Sequence, residues 1–470
     1  MKNVELLITD GEVITHAGRK RANVAVEEGK IVGLLDPREA LPRAEKTIDA
    51  SGLYVLPGAV DPHTHIGGAA KVVGSVAAAM KVCTRALAIG GTTTVMEMIP
   101  PTKGLSLQAG LAGALAERRG HMAIDFAFHP SLASVDDRVV AELRQCAEEG
   151  TPSFHASFEG ARGREPLDEG GLYQLLNLAR SQKMMAVIHA EDPRLNETLI
   201  RQTDKAGALE NVARCRPWFS ESAAVQRSIF ISELTGGPIY FEHLGAGFSV
   251  DAVQAARRKD LPIYGETCPH YLCFSEEIYH TPRGVEFLKS PPLRRKEDSE
   301  RLWQGIADGS ICSVATDESL ALIVEKRRHA ERSPAYEVSG GLNQIELRPA
   351  VMHHEMAVKR SLPLEKVVYL LAAAPAMIFG LYPRKGTVEV GSDADLVLFD
   401  PKIKKQIRNE ELHQGTDHTI FEGWEVQGYP KTTLAHGKVL VQDGVWVGPD
   451  SEGQWLERRI DPSVIQGPVV

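Results

Sequence analysis

Leu53-Tyr54-Val55-Leu56-Pro57-Gly58-Ala59-Val60-Asp61-Pro62-His63-Thr64-His65 is the stretch on which the reading of this chain turns. Its apolar part reads as a β-strand, and residues two apart on a strand share a face, so His63 and His65 bring two imidazoles to one point. Three further apolar runs end in a histidine or an aspartate: Ala186-Val187-Ile188-His189, Ile239-Tyr240-Phe241-Glu242-His243 and Cys312-Ser313-Val314-Ala315-Thr316-Asp317. If these runs are parallel barrel strands, their carboxyl ends converge on one face, and a metallohydrolase site follows.

Outward from that stretch, eight strand candidates can be counted, near Leu56–Pro62, Thr92–Met98, Ala123–His129, Pro152–Phe158, Met185–His189, Ile239–His243, Pro262–Thr267 and Ser313–Asp317. Intervals between them, such as Gln174–Gln182 and Val225–Leu234, repeat with helical period. This alternation is the signature of βαβ units and a parallel sheet. Eight units over roughly three hundred residues predict an α/β fold of the (β/α)8 TIM-barrel type at 57–383, in preference to an open doubly wound sheet. Neither a G-x-G-x-x-G nor a Walker loop supports that alternative. Short apolar runs separated by turn residues occupy both ends, as in Leu6-Leu7-Ile8-Thr9-Asp10-Gly11 and Asp395-Leu396-Val397-Leu398-Phe399. They predict a small β-sandwich domain formed by both chain termini, 1–56 with 384–450, which leaves 451–470 as a C-terminal tail.

Composition narrows the function classes. A chain of 470 residues with 43% hydrophobic content can bury a large core and a smaller one. The net charge of −9, without a block of Lys and Arg, argues against nucleic acid as a partner. No run of eighteen apolar residues occurs and Met1-Lys2-Asn3-Val4-Glu5 lacks a secretory apolar core, so no membrane partner and a cytoplasmic location are expected. The six cysteines show no C-x-x-C spacing, which suits reduced, buried thiols.

The motifs carry a family likeness along nearly the whole chain. Pro57 to His65 is followed by Gly90-Gly91-Thr92-Thr93, His189-Ala190-Glu191, Glu266-Thr267-Cys268-Pro269-His270-Tyr271-Leu272, Ser290-Pro291-Pro292-Leu293-Arg294, Thr316-Asp317 and Lys385-Gly386-Thr387-Val388. In this order the chain resembles the cyclic amidohydrolases of the hydantoinase and dihydropyrimidinase group, within the amidohydrolase superfamily. The resemblance implies that His63, His65 and Asp317 hold one metal and His189 and His243 a second, with Asp317 also taking a proton from the attacking water. Imidazole and carboxylate suit zinc, with manganese the alternative, and a bound cation acidifies water enough to supply hydroxide near neutral pH. A carboxylate beside it can pass that proton to the leaving amide nitrogen. The resemblance further implies that Ser290 and Asn343 sit where relatives hold the cyclic imide through backbone groups, and that the protein is a homo-oligomer, a tetramer or a dimer.

Four positions depart from the family pattern. Relatives bridge the two metals with a carboxylated lysine on the fourth strand, where this chain has His155. A neutral imidazole offers one lone pair and cannot bridge as a carbamate does. Two divalent ions ~3.6 Å apart repel by roughly 18 kcal/mol at an effective dielectric of about 20 before bridging anions offset it. On that ground one metal is favoured over two, with His155 either its fourth ligand or a hydrogen-bonded residue beneath it. The family's oxyanion tyrosine falls at Gly160, so Ser157, Arg162 or Arg164 has to compensate. Glu318 stands where a histidine is usual. Gly67 replaces the arginine with which dihydroorotases and allantoinases hold a carboxylate or ureide, which argues against dihydroorotate. Glu242 and Glu266 at strand ends either orient the ligands or serve packing and surface. His129, His270 and His353-His354 match no ligand position and read as structural.

The expected function is therefore metal-dependent opening of a cyclic amide, imide or ureide ring, with Asp317 as general base and acid. Another reaction on the same one-metal scaffold (deamination, lactone opening or decarboxylation) and a non-catalytic assembly role are the alternatives.

Overall fold

The computed structural model describes residues 3–160, 164–338 and 341–469. Eight parallel strands form the centre: Ala59–Thr64, Thr92–Ile99, Asp125–Pro130, Ser153–Ser157, Met185–His189, Ile239–Phe241, Ile263–Thr267 and Ser313–Val314. Hydrogen bonding divides them into a three-stranded and a five-stranded sheet. Single bridges between Ser131 and His155 and between Thr64 and Glu318 close the ring. Helices follow the strands, and several open on a side-chain cap that satisfies a free N–H of the first turn, among them Ser75, Ser106, Asp136 and Asp168.

Alternation along the strands sorts the barrel into two layers. Phe154, Ala156, Ala186, Ile188, Ile239, Phe241 and Ile263 face outward and pack against the helices. Met96, Met98, Ala127, Met185, Val187, Tyr240 and Tyr264 face inward and fill the barrel. One step further along the inward rows come His129, His155, His189, Glu242 and Glu266, so the same period that fills the barrel delivers polar side chains to its carboxyl-terminal mouth.

The strands of both termini form one continuous nine-stranded sheet. The sequence reading expects a sandwich of two sheets; the two halves are joined because the long strand Val4–Thr15 belongs to both. A register shift between Ile8 and Gly11, with Asp10 at φ 61°, bends it. Its first half pairs with Ala44–Asp49 and its second with Tyr54–Pro57. The bent sheet closes on one core that includes Ile8, Val24, Val55, Leu396 and Leu434. Lys385 pins this sheet to the barrel: its buried ammonium lies 2.6 Å from Asp125 of the third barrel strand, 2.7 Å from Asp395 and 2.9 Å from Asp393.

Residues after 450 close the bottom of the barrel. Phe126 N–H donates to Gln454 O, and Leu456 N–H donates to Phe126 O. The wholly buried Arg458 donates to Phe128 O at 2.7 Å and Ser153 Oγ at 2.8 Å.

Candidate metal centre

The mouth of the barrel assembles its polar groups by backbone contact between neighbouring strands. Asp317 N–H donates to His63 O at 3.0 Å and His65 N–H to Glu318 O at 2.7 Å, so the first and eighth strands are zipped together at the site. Asp61 accepts from Thr316 Oγ1 at 2.7 Å and fixes the turn before Asp317. Two residues reach the centre only because the chain turns into the left-handed region past a strand end, His243 at φ 40° and Asp317 at φ 49°. Such conformations cost free energy and cluster at functional sites.

Asp317 Oδ1 lies 3.3 Å from both His63 Nε2 and His65 Nε2. His189 Nδ1 lies 3.0 Å from His243 Nε2. His155 joins this second group: its Nε2 is 3.3 Å from Glu242 Oε1, and its Nδ1 is hydrogen-bonded with Ser131 Oγ at 3.0 Å. The expected ligands His63, His65, His155, His189, His243 and Asp317 are thus brought together. Around them opens a cavity of about 480 Å³ whose wall includes Ser157, Arg164, Lys289 and Ser290.

Glu266 and Glu242, which the sequence left open between orienting the ligands and packing or surface roles, and Lys289, which it did not single out, lie against these groups. Glu266 Oε1 accepts from His63 Nδ1 at 2.8 Å and from His243 N–H at 3.0 Å, and its Oε2 accepts from Tyr240 OH at 2.7 Å. A carboxylate behind a ligand histidine fixes its tautomer and aims Nε2 at the ion. Lys289 Nζ donates to Asp317 Oδ2 at 2.6 Å and contacts His270 Nε2 at 2.8 Å.

The donor set fits a cation. His63 Nε2 and Glu242 Oε2 are buried, face one another at 3.6 Å and have no hydrogen-bond partner. Burial lowers the His63 imidazolium, yet Glu242, Glu266 and Asp317 together carry it up to about 10. Burial likewise lowers His189, and Glu191, Glu242 and Glu159 reverse it to about 9. Asp317 and Glu242 are held well below the carboxylate range against burial, Asp317 by Lys289 and His63 and Glu242 by His155, His63 and His243. The pocket therefore favours positive charge at its centre, which a divalent ion would supply. The group Asp125, Asp393 and His436 also has ligand-like spacing, but Lys385 already lies among these acids.

Several departures acquire physical reasons. A Cβ at Gly67 would lie 2.4 Å from Glu97 Oε1 and 2.6 Å from Arg118 Nη2, so the buried Glu97–Arg118 pair leaves no room for an arginine there. At Gly160 a Cβ would meet Pro166 at 2.7 Å, which closes the tyrosine's place. Burial pushes Glu318 up to about 8, and its Oε2 accepts from Gln344 N–H at 3.0 Å. Ser157 Oγ donates to Glu159 O at 3.1 Å, Arg164 lines the cavity, and Arg162 lies outside the described residues. Ser290 is in the wall of the cavity, whereas the Asn343 side chain is wholly buried against Ala321 and His418. A substrate contact from Asn343 would have to come from its backbone. His129 is held between Ser153 Oγ at 2.8 Å and Pro62 O at 3.1 Å.

A parallel eight-stranded barrel with histidines and an aspartate gathered at its carboxyl-terminal mouth defines a metallohydrolase barrel. The chain belongs to the amidohydrolase family, whose model matches residues 54–440. It is 32% identical over 460 residues to a D-hydantoinase of Ralstonia pickettii, covering 97% of this chain and 99% of that one. Among solved structures, a D-hydantoinase from a Bacillus sp. AR9 superposes with a TM-score of 0.91 at 31% identity, covering 97% of this chain and 100% of the other. A dihydropyrimidinase from Brevibacillus agri NCHU1002 does so with a TM-score of 0.90 at 30% identity, covering 97% and 99%.

Proposed function

We propose that the protein is a metal-dependent hydrolase that opens the ring of a cyclic amide or ureide of the hydantoin or dihydropyrimidine type. The convergence of His63, His65 and Asp317 at 3.3 Å, within a chain similar over its whole length to hydantoinases, carries this reading. A divalent cation, zinc or manganese, supplies Lewis-acid polarisation and lowers the pKa of water. Asp317, an ionised carboxylate with one oxygen held by Lys289, accepts the proton of the attacking water and returns it to the ring nitrogen as the C–N bond breaks. Ser290, in the cavity wall, and the backbone at Asn343 hold the ring. Lys289 and Arg164 take over the stabilisation of oxyanion charge that Gly160 cannot give. No observation favours deamination, lactone opening, decarboxylation or a purely structural role.

The reading also includes a cytoplasmic homo-oligomer. Exposed Phe230, Leu234 and Phe248 on two packed helices, Trp218–Thr235 and Gly247–Arg257, support assembly. A solution mass equal to one chain would exclude it.

Ring-absorbance loss on a panel of hydantoins, dihydropyrimidines and cyclic imides tests the function. Activity on at least one cyclic ureide is expected, abolished by a chelator and restored by zinc or manganese. Silence on every ring with metal supplied would overturn it.

A further inference from the structure

Glu242 is a side chain at the mouth that lies outside the family motifs quoted above. It lies in phase with Tyr240 on the sixth strand and therefore points into the barrel, one residue before His243. Its Oε1 is 3.0 Å from His243 Nε2, 3.3 Å from His155 Nε2 and 3.6 Å from His189 Nδ1. Its Oε2 looks the other way, toward His63 Nε2 at 3.6 Å, and has no hydrogen-bond partner. One carboxylate thus stands between the two groups of ligands, one oxygen turned to each.

We propose that Glu242 is a metal ligand that bridges two divalent ions, doing from the sixth strand what a carbamate on the fourth strand does in relatives. The inference rests on the reading of this centre as a metal site. A carboxylate has two oxygens and a negative charge, so it offers one donor to each ion and offsets their repulsion. The expectation of one metal was argued from the lack of such an anion at position 155, and Glu242 supplies it from elsewhere in the ring. His155 then needs no bridging role: it faces Oε1, anchored by Ser131, and completes the side of His189 and His243. Exclusion from solvent matches the assignment, since Glu242 is 4% exposed and shares its pocket with histidines.

Elemental analysis of the full chain, loaded with manganese and desalted, tests this without any turnover assay. About two ions per chain are expected, with an exchange-coupled electron paramagnetic resonance spectrum. Glu242→Gln keeps the shape and removes the charge, and should fall to about one ion with an uncoupled spectrum. Glu242→Asp keeps the charge on a shorter arm, and should weaken the second ion at least about tenfold in a manganese titration. One uncoupled ion in the unaltered protein overturns the assignment to Glu242 while leaving a one-metal hydrolase intact. Two coupled ions in Glu242→Gln, or an unchanged titration in Glu242→Asp should the glutamine variant not fold, overturn it too. No bound metal in any form instead overturns the reading of the centre itself.

Discussion

At the scale of the residue, groups that touch the reacting atoms are distinct from groups that aim them. In the proposed mechanism Asp317 is both a ligand and the proton carrier, so Asp317→Asn is expected to lower kcat on the ring substrate by about a hundredfold or more. Glu266 acts through His63 Nδ1. Glu266→Gln should therefore weaken metal affinity by about ten- to a hundredfold, with kcat at saturating metal little changed. Equal losses of kcat in both variants would mean that this division of roles is mistaken. His63, His65, His189, His243 and Asp317 were legible because each ends an apolar run. Glu242 and Lys289 were harder to see. Glu242 is masked by the histidine beside it, although counting in twos from Tyr240 places it inside the barrel. Lys289 reaches Asp317 from a loop, across a separation in sequence that no period encodes.

At the scale of the element, alternation of apolar runs with helical intervals was enough to place eight barrel strands. Their ends were less legible. The sixth strand stops at Phe241 and the eighth at Val314, because the chain must leave extended geometry for His243 and Asp317 to turn inward. The bend that joins the two halves of the terminal sheet depends on Asp10 and the shift before Gly11, which leaves no mark in hydropathy. The attachment of that sheet to the barrel through Lys385 predicts a pH dependence. Burial raises the Asp125 carboxyl, but Lys385 at 2.6 Å and His436 at 2.8 Å leave it lowered from 3.8 to about 2. A carboxyl lowered on folding adds stability above its unfolded pKa and loses it as pH falls through the folded value. The contribution is about 2 kcal/mol, lost between about pH 5 and about pH 2. Urea unfolding with chelator present should show the native chain losing that much more than Asp125→Asn over this interval. Parallel pH curves would refute the assignment.

At the scale of the whole molecule, one division of labour organises the chain: the barrel collects ligands, the two termini make a sheet that locks onto its third strand, and the last residues seal its base. The closed base was not legible, because Arg458, buried against Phe128 O and Ser153 Oγ, stands between Glu457 and Arg459 and so reads as part of an exposed charged run. Among the described residues no single helix is long and apolar enough to cross a membrane. The proposed function depends on a cation at the open end of the barrel. Anomalous X-ray scattering at the zinc edge, from crystals of zinc-loaded protein, locates it most directly. A peak bounded by His63 Nε2, His65 Nε2 and Asp317 Oδ1 is expected. A zinc-loaded crystal with no peak between these three atoms would contradict it.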